Sequence, residues 1–534
     1  MSRLICLVVL SIACLSTTTA DAARPNFVVL LADDLGFGDI TSKRMPLSTP
    51  LAARGTRLNL YAHQNCMPTR VALLTGRYPY EFNIPSVYPP PLNPGLPHYQ
   101  RLISDRLKLA GYTCGMYGKW HLGWRERSLW PTRRGFDEFI GMLGGHINSY
   151  GTQKDGFPYD DGNIGHDHHG FHDMQVNEVP LYTSRYSTEI FRDAAMEFIE
   201  KKSSQSQPFF LYVPFNAPHG PFSAPRRYVD QAIQTGDFDA SLKERLIVRS
   251  ADVLTADYSN PQDVHDTAKL MYAAAVLSLD QAVDAIYRKL EETGVADNTF
   301  FIFASDNGVS YTFDPSATRR VSVPVGSSAP LRGAKGSVFE AGFRVANFAI
   351  WPGKISPGQK VDSNIWIGDL PATFLTLAGA RVPSSIDGAN IMPAIESGAS
   401  LVRPKFGRHI VPYMIKFRTT RADLPQVTHA GQIAMIWKWR KYIRQVYFDA
   451  DGELVLGLNE RLYDIVNDPG ERTNLAAALP TVLANARRAY EGIGGDGLFD
   501  KIDLIPTGGW HTVERTLDFG FDSSTPILET DVVP

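Results

Sequence analysis

Phe27-Val28-Val29-Leu30-Leu31-Ala32 is an unbroken apolar run that closes on Asp33-Asp34. A run this short, aliphatic and aromatic and bounded by acids, reads as a strand buried on both faces. Comparable runs recur at Phe209 to Pro214, Phe300 to Ala304 and Phe348 to Trp351. Between them, Leu102 to Leu109, Thr188 to Lys201 and Val264 to Glu292 carry helical periodicity with polar faces, the last as one helix or two. The alternation predicts an α/β fold with a large, mostly parallel central sheet flanked by helices.

Past about residue 400 the pattern changes. Ile433 to Trp437, Tyr442 to Phe448 and Arg461 to Ile465, separated by turn signals such as Asp451-Gly452, predict a small antiparallel sheet, with a helix from about Leu479 to Tyr490 packed on it. A chain of 534 residues exceeds one ordinary core. The expected division is residues 24–400 as the larger domain and 401–534 as a smaller α+β unit and tail.

Met1-Ser2-Arg3, the apolar run Leu4 to Leu15 and small residues up to Ala23 read as a secretory signal peptide over 1–23. The run is shorter than the ~20 residues of a membrane span, and no later segment reaches that length without charges. A secreted or periplasmic protein without a transmembrane segment is expected, and Ser11 argues against lipoprotein anchoring at Cys14. Of four cysteines, only Cys66 and Cys114 lie beyond the signal segment. One disulfide between them is the plain reading for a secreted chain, but the surroundings of Cys66 favour another use. The absence of any Asn-x-Ser/Thr site beyond the signal favours a bacterial origin. Apolar content of 44%, charged content of 20% and a net charge of -3 exclude a general polyanion-binding surface, so no nucleic-acid partner is expected.

Asp33-Asp34 and Asp306-Asn307-Gly308 both follow strand ends, where the ligand crevice of an open α/β sheet lies. Their oxygens, without neighbouring His or Cys, suit Ca²⁺ or Mg²⁺ better than zinc. Either pair alone is equally a turn or a cap. In Asn65-Cys66-Met67-Pro68-Thr69-Arg70 and the following Val71 to Arg77, Pro68 suits a first helical turn and Gly76 the stop. Cys66 then sits at a helix N-terminus with Arg70 one turn on, a sound place for a nucleophile attacking an anionic ester.

Cys66-x-Pro-x-Arg with the following Leu-Thr-Gly resembles the signature of the sulfatase family, in which the cysteine becomes formylglycine after synthesis. In the family's order stand Leu31 to Gly36, Gly118-Lys119-Trp120-His121-Leu122-Gly123, Ala217-Pro218-His219, Ser305 to Gly308 and Pro330 to Lys335. Leu462-Tyr463-Asp464 with Asn467-Asp468-Pro469-Gly470-Glu471 is similar to the family as well. Pro131 to Asp137 is most similar to the arylsulfatase B, or N-acetylgalactosamine-4-sulfatase, type. The resemblance implies an alkaline-phosphatase-like fold and hydrolysis of sulfate esters, on a sulfated carbohydrate or an aryl sulfate. It implies one Ca²⁺ held by Asp33, Asp34, Asp306 and Asn307 together with residue 66 as formylglycine. By the same resemblance, Arg70 and Lys119 hold the aldehyde hydrate and the sulfate, His121 acts as a base, and His219 and Lys335 bind sulfate and assist the leaving oxygen. A formylglycine-generating enzyme is then the partner in maturation.

His166-Asp167-His168-His169 with His172 matches no family metal site and reads as an exposed loop near the substrate entrance. Where some relatives place a sulfate-contacting serine, this chain has Gly144-Gly145. Two other functions compete. A phosphohydrolase of the same architecture would show extra His and Asp ligands for two transition metals. A binding protein that had lost its chemistry would have lost Cys66, Arg70, His121 or an acidic ligand.

Overall fold

The computed structural model describes residues 24–86, 95–145, 173–181, 183, 185–250, 252–256, 264–314, 321–418, 426–451 and 454–501. Residues 1–23, expected as a signal peptide, and the stretch His166 to His172, expected as an exposed loop, lie outside the described residues.

The strand Asn26–Ala32 is wholly buried and pairs in parallel with Thr299–Ser305 on one side and Phe209–Pro214 on the other. Thr113–Lys119 continues the parallel order beyond Phe209–Pro214, and Glu138–Met142 follows it. Antiparallel strands close both margins of this eight-stranded sheet: Asn347–Ile350 at one, Met174–Val176 and Val179–Pro180 at the other. Side chains along a strand alternate between faces, and the first strand divides accordingly. Phe27, Val29 and Leu31 join one core with the helices Cys66–Thr75, Ile103–Leu109 and Asp369–Leu377. Val28, Leu30 and Ala32 join another with Ser187–Ser203, Arg226–Gln234 and Val264–Glu292.

Val264–Glu292 is one helix of 29 residues, not two. Asp280, midway along it, is buried and accepts from the backbone N–H groups of Leu47 and Ser48, so its carboxylate serves a neighbouring segment instead of breaking its own helix.

The C-terminal sheet has four antiparallel strands in chain order, Ile410–Arg418, His429–Trp437, Arg440–Phe448 and Leu454–Asp464. The first of these is absent from the sequence reading. Its apolar residues belong to the same continuous core as one face of the large sheet. Pro480–Gly492 packs on it through buried Ala486 and Tyr490, whose ring lies 5.9 Å from that of Tyr442. Among the described residues no helix is long and apolar enough to cross a membrane.

Candidate active site

Four parallel strands deliver their carboxyl ends to one place. Asn26–Ala32 leads into Asp33-Asp34, Thr299–Ser305 into Asp306-Asn307, Thr113–Lys119 ends in Lys119 with His121 close behind, and Phe209–Pro214 leads towards His219. The helix Cys66–Thr75 begins there. Asn65 precedes it in extended conformation, and Gly76, at φ 71°, ends it in the left-handed conformation that glycine adopts without penalty. Thr69 fastens this helix to the acidic loop, its hydroxyl donating to the Asp306 carbonyl at 2.6 Å.

Arg70 is fully buried. Its Nη2 lies 2.9 Å from Asp306 Oδ2 and 3.6 Å from Asp33 Oδ2, and its Nη1 donates to the Lys119 carbonyl at 3.0 Å. Lys119 Nζ is 2.5 Å from Asp33 Oδ2. Lys335 Nζ is 2.7 Å from Asp34 Oδ1, which also accepts from Asn307 Nδ2 at 2.7 Å. His219 Nε2 stands 3.6 Å from Asp34 Oδ2. The Cys66 sulfur and one oxygen each of Asp33 and Asp306 lie within 4.8 Å of one another. These nine residues share one cluster, in which three carboxylates face Arg70, Lys119 and Lys335, and the buried His121, tenth of those singled out in the sequence, lies within the electrostatic reach of Lys119, Arg70, Asp33 and Lys335. Lys335 and His219 keep 17% and 12% of their side chains exposed while the acids keep none, so the cluster opens on their side.

Electrostatics follow from this packing. Burial disfavours the Asp33 carboxylate, but Lys119, His219, Arg70 and Lys335 outweigh it and hold that group well below its ordinary range. Burial, with Asp33 beside it, pushes Asp306 up to about 7. The Cys66 thiol is pushed up by burial, against Lys119 and Lys335. Burial, reinforced by Lys119 and Arg70, drives His121 well below the usual histidine range and leaves its ring neutral. His219 is lowered by burial and by Lys335.

Asp33 Oδ1, Asn307 Oδ1, Arg70 Nε and His121 Nδ1 are buried without a hydrogen-bond partner. Such atoms cost free energy unless something occupies the space they face. Two orphaned oxygens among three crowded carboxylates fit a hard cation, and the donor set contains no imidazole-rich grouping for transition metals. Cys66 and Cys114 are both free and buried, so they do not form the disulfide weighed from sequence.

Gly144-Gly145 has a physical reason. A Cβ at Gly145 would fall 2.7 Å from His121 Nε2, and one at Gly144 would fall 3.0 Å from Asp173 Oδ2. The sequence reading missed Thr69 and Tyr212, whose hydroxyl lies 3.5 Å from Arg70 Nη1. Thr69 occupies an unspecified position of the signature and Tyr212 sits inside an apolar strand, so neither carries a sequence signal.

The family model described as Sulfatase matches residues 25–380. The chain is 30% identical over 486 residues to N-acetylgalactosamine-6-sulfatase of Mus musculus, covering 85% of this chain and 82% of the relative. It is 29% identical to arylsulfatase J of Mus musculus over 88% of this chain and 76% of the relative. The crystal structure of Ps i-CgsB in complex with k-i-k-neocarrahexaose matches with a TM-score of 0.68 at 25% identity, over 93% of this chain and 99% of that one. The 6-sulfatases among these relatives make the 4-sulfatase type read from Pro131 to Asp137 only approximate. With its parallel sheet, signature helix and acidic cluster, the chain belongs to the sulfatase family and is a sulfuric ester hydrolase.

Proposed function

We propose that this enzyme removes sulfate from a sulfated carbohydrate, with residue 66 matured to formylglycine and a calcium ion in the acidic cluster. The observation that carries the reading is the pair of orphaned oxygens, Asp33 Oδ1 and Asn307 Oδ1, buried beside Cys66 and ringed by fixed cations. Asp33, Asp34, Asp306 and Asn307 would hold the calcium, which supplies charge neutralisation at the sulfuryl oxygens and favours deprotonation of a hydroxyl at residue 66. Formylglycine at residue 66 would supply, as its hydrate, two hydroxyls on one carbon, a nucleophile for sulfur and a second hydroxyl whose deprotonation would release the sulfate.

The chain's own groups do the remainder. Arg70 and Lys119, locked by Asp306 and Asp33, are preorganised cations that orient the nucleophile and the sulfate without reorganising during the reaction. His121, kept neutral by burial and its cationic neighbours, is in the protonation state that a general base requires. Lys335 and His219, on the exposed side, bind the sulfate and support the leaving oxygen. The carbohydrate reading draws on the relatives' printed names, an N-acetylgalactosamine-6-sulfatase and a neocarrahexaose complex.

We further read residues 1–23 as a secretory signal, placing the protein outside the cytoplasm with a formylglycine-generating enzyme as its maturation partner. Residues 24–400 and 401–534 are read as two units, a division supported by the end of the family match at residue 380 and the separate sheet from Ile410 onward. The purified mature enzyme is expected to release sulfate from members of a panel of sulfated mono-, oligo- and polysaccharides, and to stop when calcium is chelated. Release from aryl sulfates with no saccharide turned over contradicts the carbohydrate assignment, and full activity in chelator contradicts the metal.

A further inference from the structure

Lys441 projects from the C-terminal strand Arg440–Phe448 into the interior, where it is fully buried. Its Nζ lies 2.6 Å from Glu471 Oε1 and 3.5 Å from Glu340 Oε1, and 4.7 Å from the centre of the Phe343 ring. Both acids are also fully buried. Glu471 Oε2 accepts from the Glu340 backbone N–H at 2.6 Å, and the Glu471 carbonyl accepts from Arg332 Nη1 at 3.1 Å. Glu340 Oε2 accepts from the Tyr61 hydroxyl at 3.0 Å.

This junction grips the segment that carries Lys335. Arg332 lies three residues before Lys335, and Glu340 lies five residues after it. Immediately after Glu340, Ala341 N–H closes the loop on the Arg332 carbonyl at 2.8 Å. The same loop reaches the rest of the site through its backbone. Lys335 N–H donates to Val309 O at 3.0 Å, Gly308 N–H to Gly342 O at 3.0 Å, and Gly336 N–H to Gln64 O at 2.9 Å. Burying two carboxylates and a lysine is costly before pairing, and well-packed apolar side chains often stabilise such a place equally well. What the ion pair adds is a fixed geometry between the C-terminal sheet and the Lys335 loop.

We propose that Lys441 and Glu471 are positioning residues for sulfate-ester hydrolysis, setting through Glu340 and Arg332 the reach of Lys335 into the site. The inference rests on the role given to Lys335 above. The test is a double-mutant cycle on kcat/KM for an aryl sulfate, per mature enzyme molecule, with formylglycine content and Tm measured for every variant. The pair change Lys441→Met with Glu471→Gln removes both charges together, and Glu471→Gln alone repeats the cycle with an oxygen retained for the Glu340 N–H. With Lys335 present, each is expected to lower kcat, and with it kcat/KM, about tenfold, the scale of a small misplacement of a reacting group. In the Lys335→Ala background the same changes are expected to cost less than about twofold. Equal losses in both backgrounds, or a lowered Tm with unchanged kcat, overturn the positioning role alone. Undiminished activity of Lys335→Ala by itself overturns the role of Lys335 as well.

Discussion

Two buried ion clusters in this molecule are built to opposite standards. Asp369 and Arg403 are closed on themselves. Asp369 Oδ1 accepts from Arg403 Nε and Ala389 N–H, each at 2.9 Å, and Oδ2 from Arg403 Nη2 at 2.6 Å and Trp366 N–H at 2.8 Å. The candidate-site cluster has comparable burial and longer chain separations between its charges, yet it leaves Asp33 Oδ1, Asn307 Oδ1, Arg70 Nε and His121 Nδ1 unmatched. It also holds Asp34 and His121 at φ 70° and 59°, a region side-chain-bearing residues seldom adopt. The first cluster stabilises a fold. The second is held in its strained, unmatched state by the rest of the fold, as the proposed cation and sulfate would require.

That contrast can be broken most sharply by exchanging the two costs. Asp306→Asn is expected to lower kcat/KM by at least about 10³-fold, the scale for losing one preorganised electrostatic group in a reaction site. Its Tm without calcium should stay level or rise, because one of three crowded carboxylates is relieved. Retained activity with a fallen Tm would make the cluster merely structural. Arg403→Met should do the reverse. It strands a buried carboxylate, at a cost of about 3–5 kcal/mol in denaturant unfolding, with kcat of the folded enzyme unchanged. An unaltered unfolding midpoint would remove the distinction from the other side.

Asp173 offers a smaller, pH-resolved version. It is buried, and its Oδ1 accepts from the N–H groups of Leu143 and Gly144, at 3.1 and 2.8 Å, on the strand end that passes over His121. Burial outweighs these donors and pushes its carboxyl up to about 6 from 3.8. The folded state therefore binds this proton more tightly than the unfolded one. The stability so gained is full below the unfolded value and is lost as pH rises through about 6. Asp173→Asn keeps an acceptor oxygen and should gain on the order of 2–3 kcal/mol at pH 7, with no gain near pH 4. A gain independent of pH, or none at all, contradicts a carboxylate strained by its own burial.

The ten residues that the structure brings together in the candidate site were legible in the sequence because they sit in compact signatures. The acids follow apolar runs, Cys66 opens a helix marked by Pro68 and Gly76, and Lys119 is carried by its motif alone. Parts of the fold were not. Thr113–Lys119 carries two glycines and no apolar run, so its strand character is hidden. The structure gives the reason at Gly118, where a Cβ would come 1.9 Å from the Pro214 carbonyl oxygen of the neighbouring strand. Lys441 was equally silent. A lone lysine on an antiparallel strand reads as solvent-facing, and its partners Glu340 and Glu471 are 101 and 30 residues away in the chain. Contacts that join distant elements through single charges leave no periodic trace.

The central claim is that the open cluster surrounds a converted residue 66, and peptide mass spectrometry across that residue in active, purified enzyme tests it most directly. A loss of about 18 Da relative to cysteine, the thiol-to-aldehyde change, is the expected result. An unmodified thiol in fully active enzyme would contradict it.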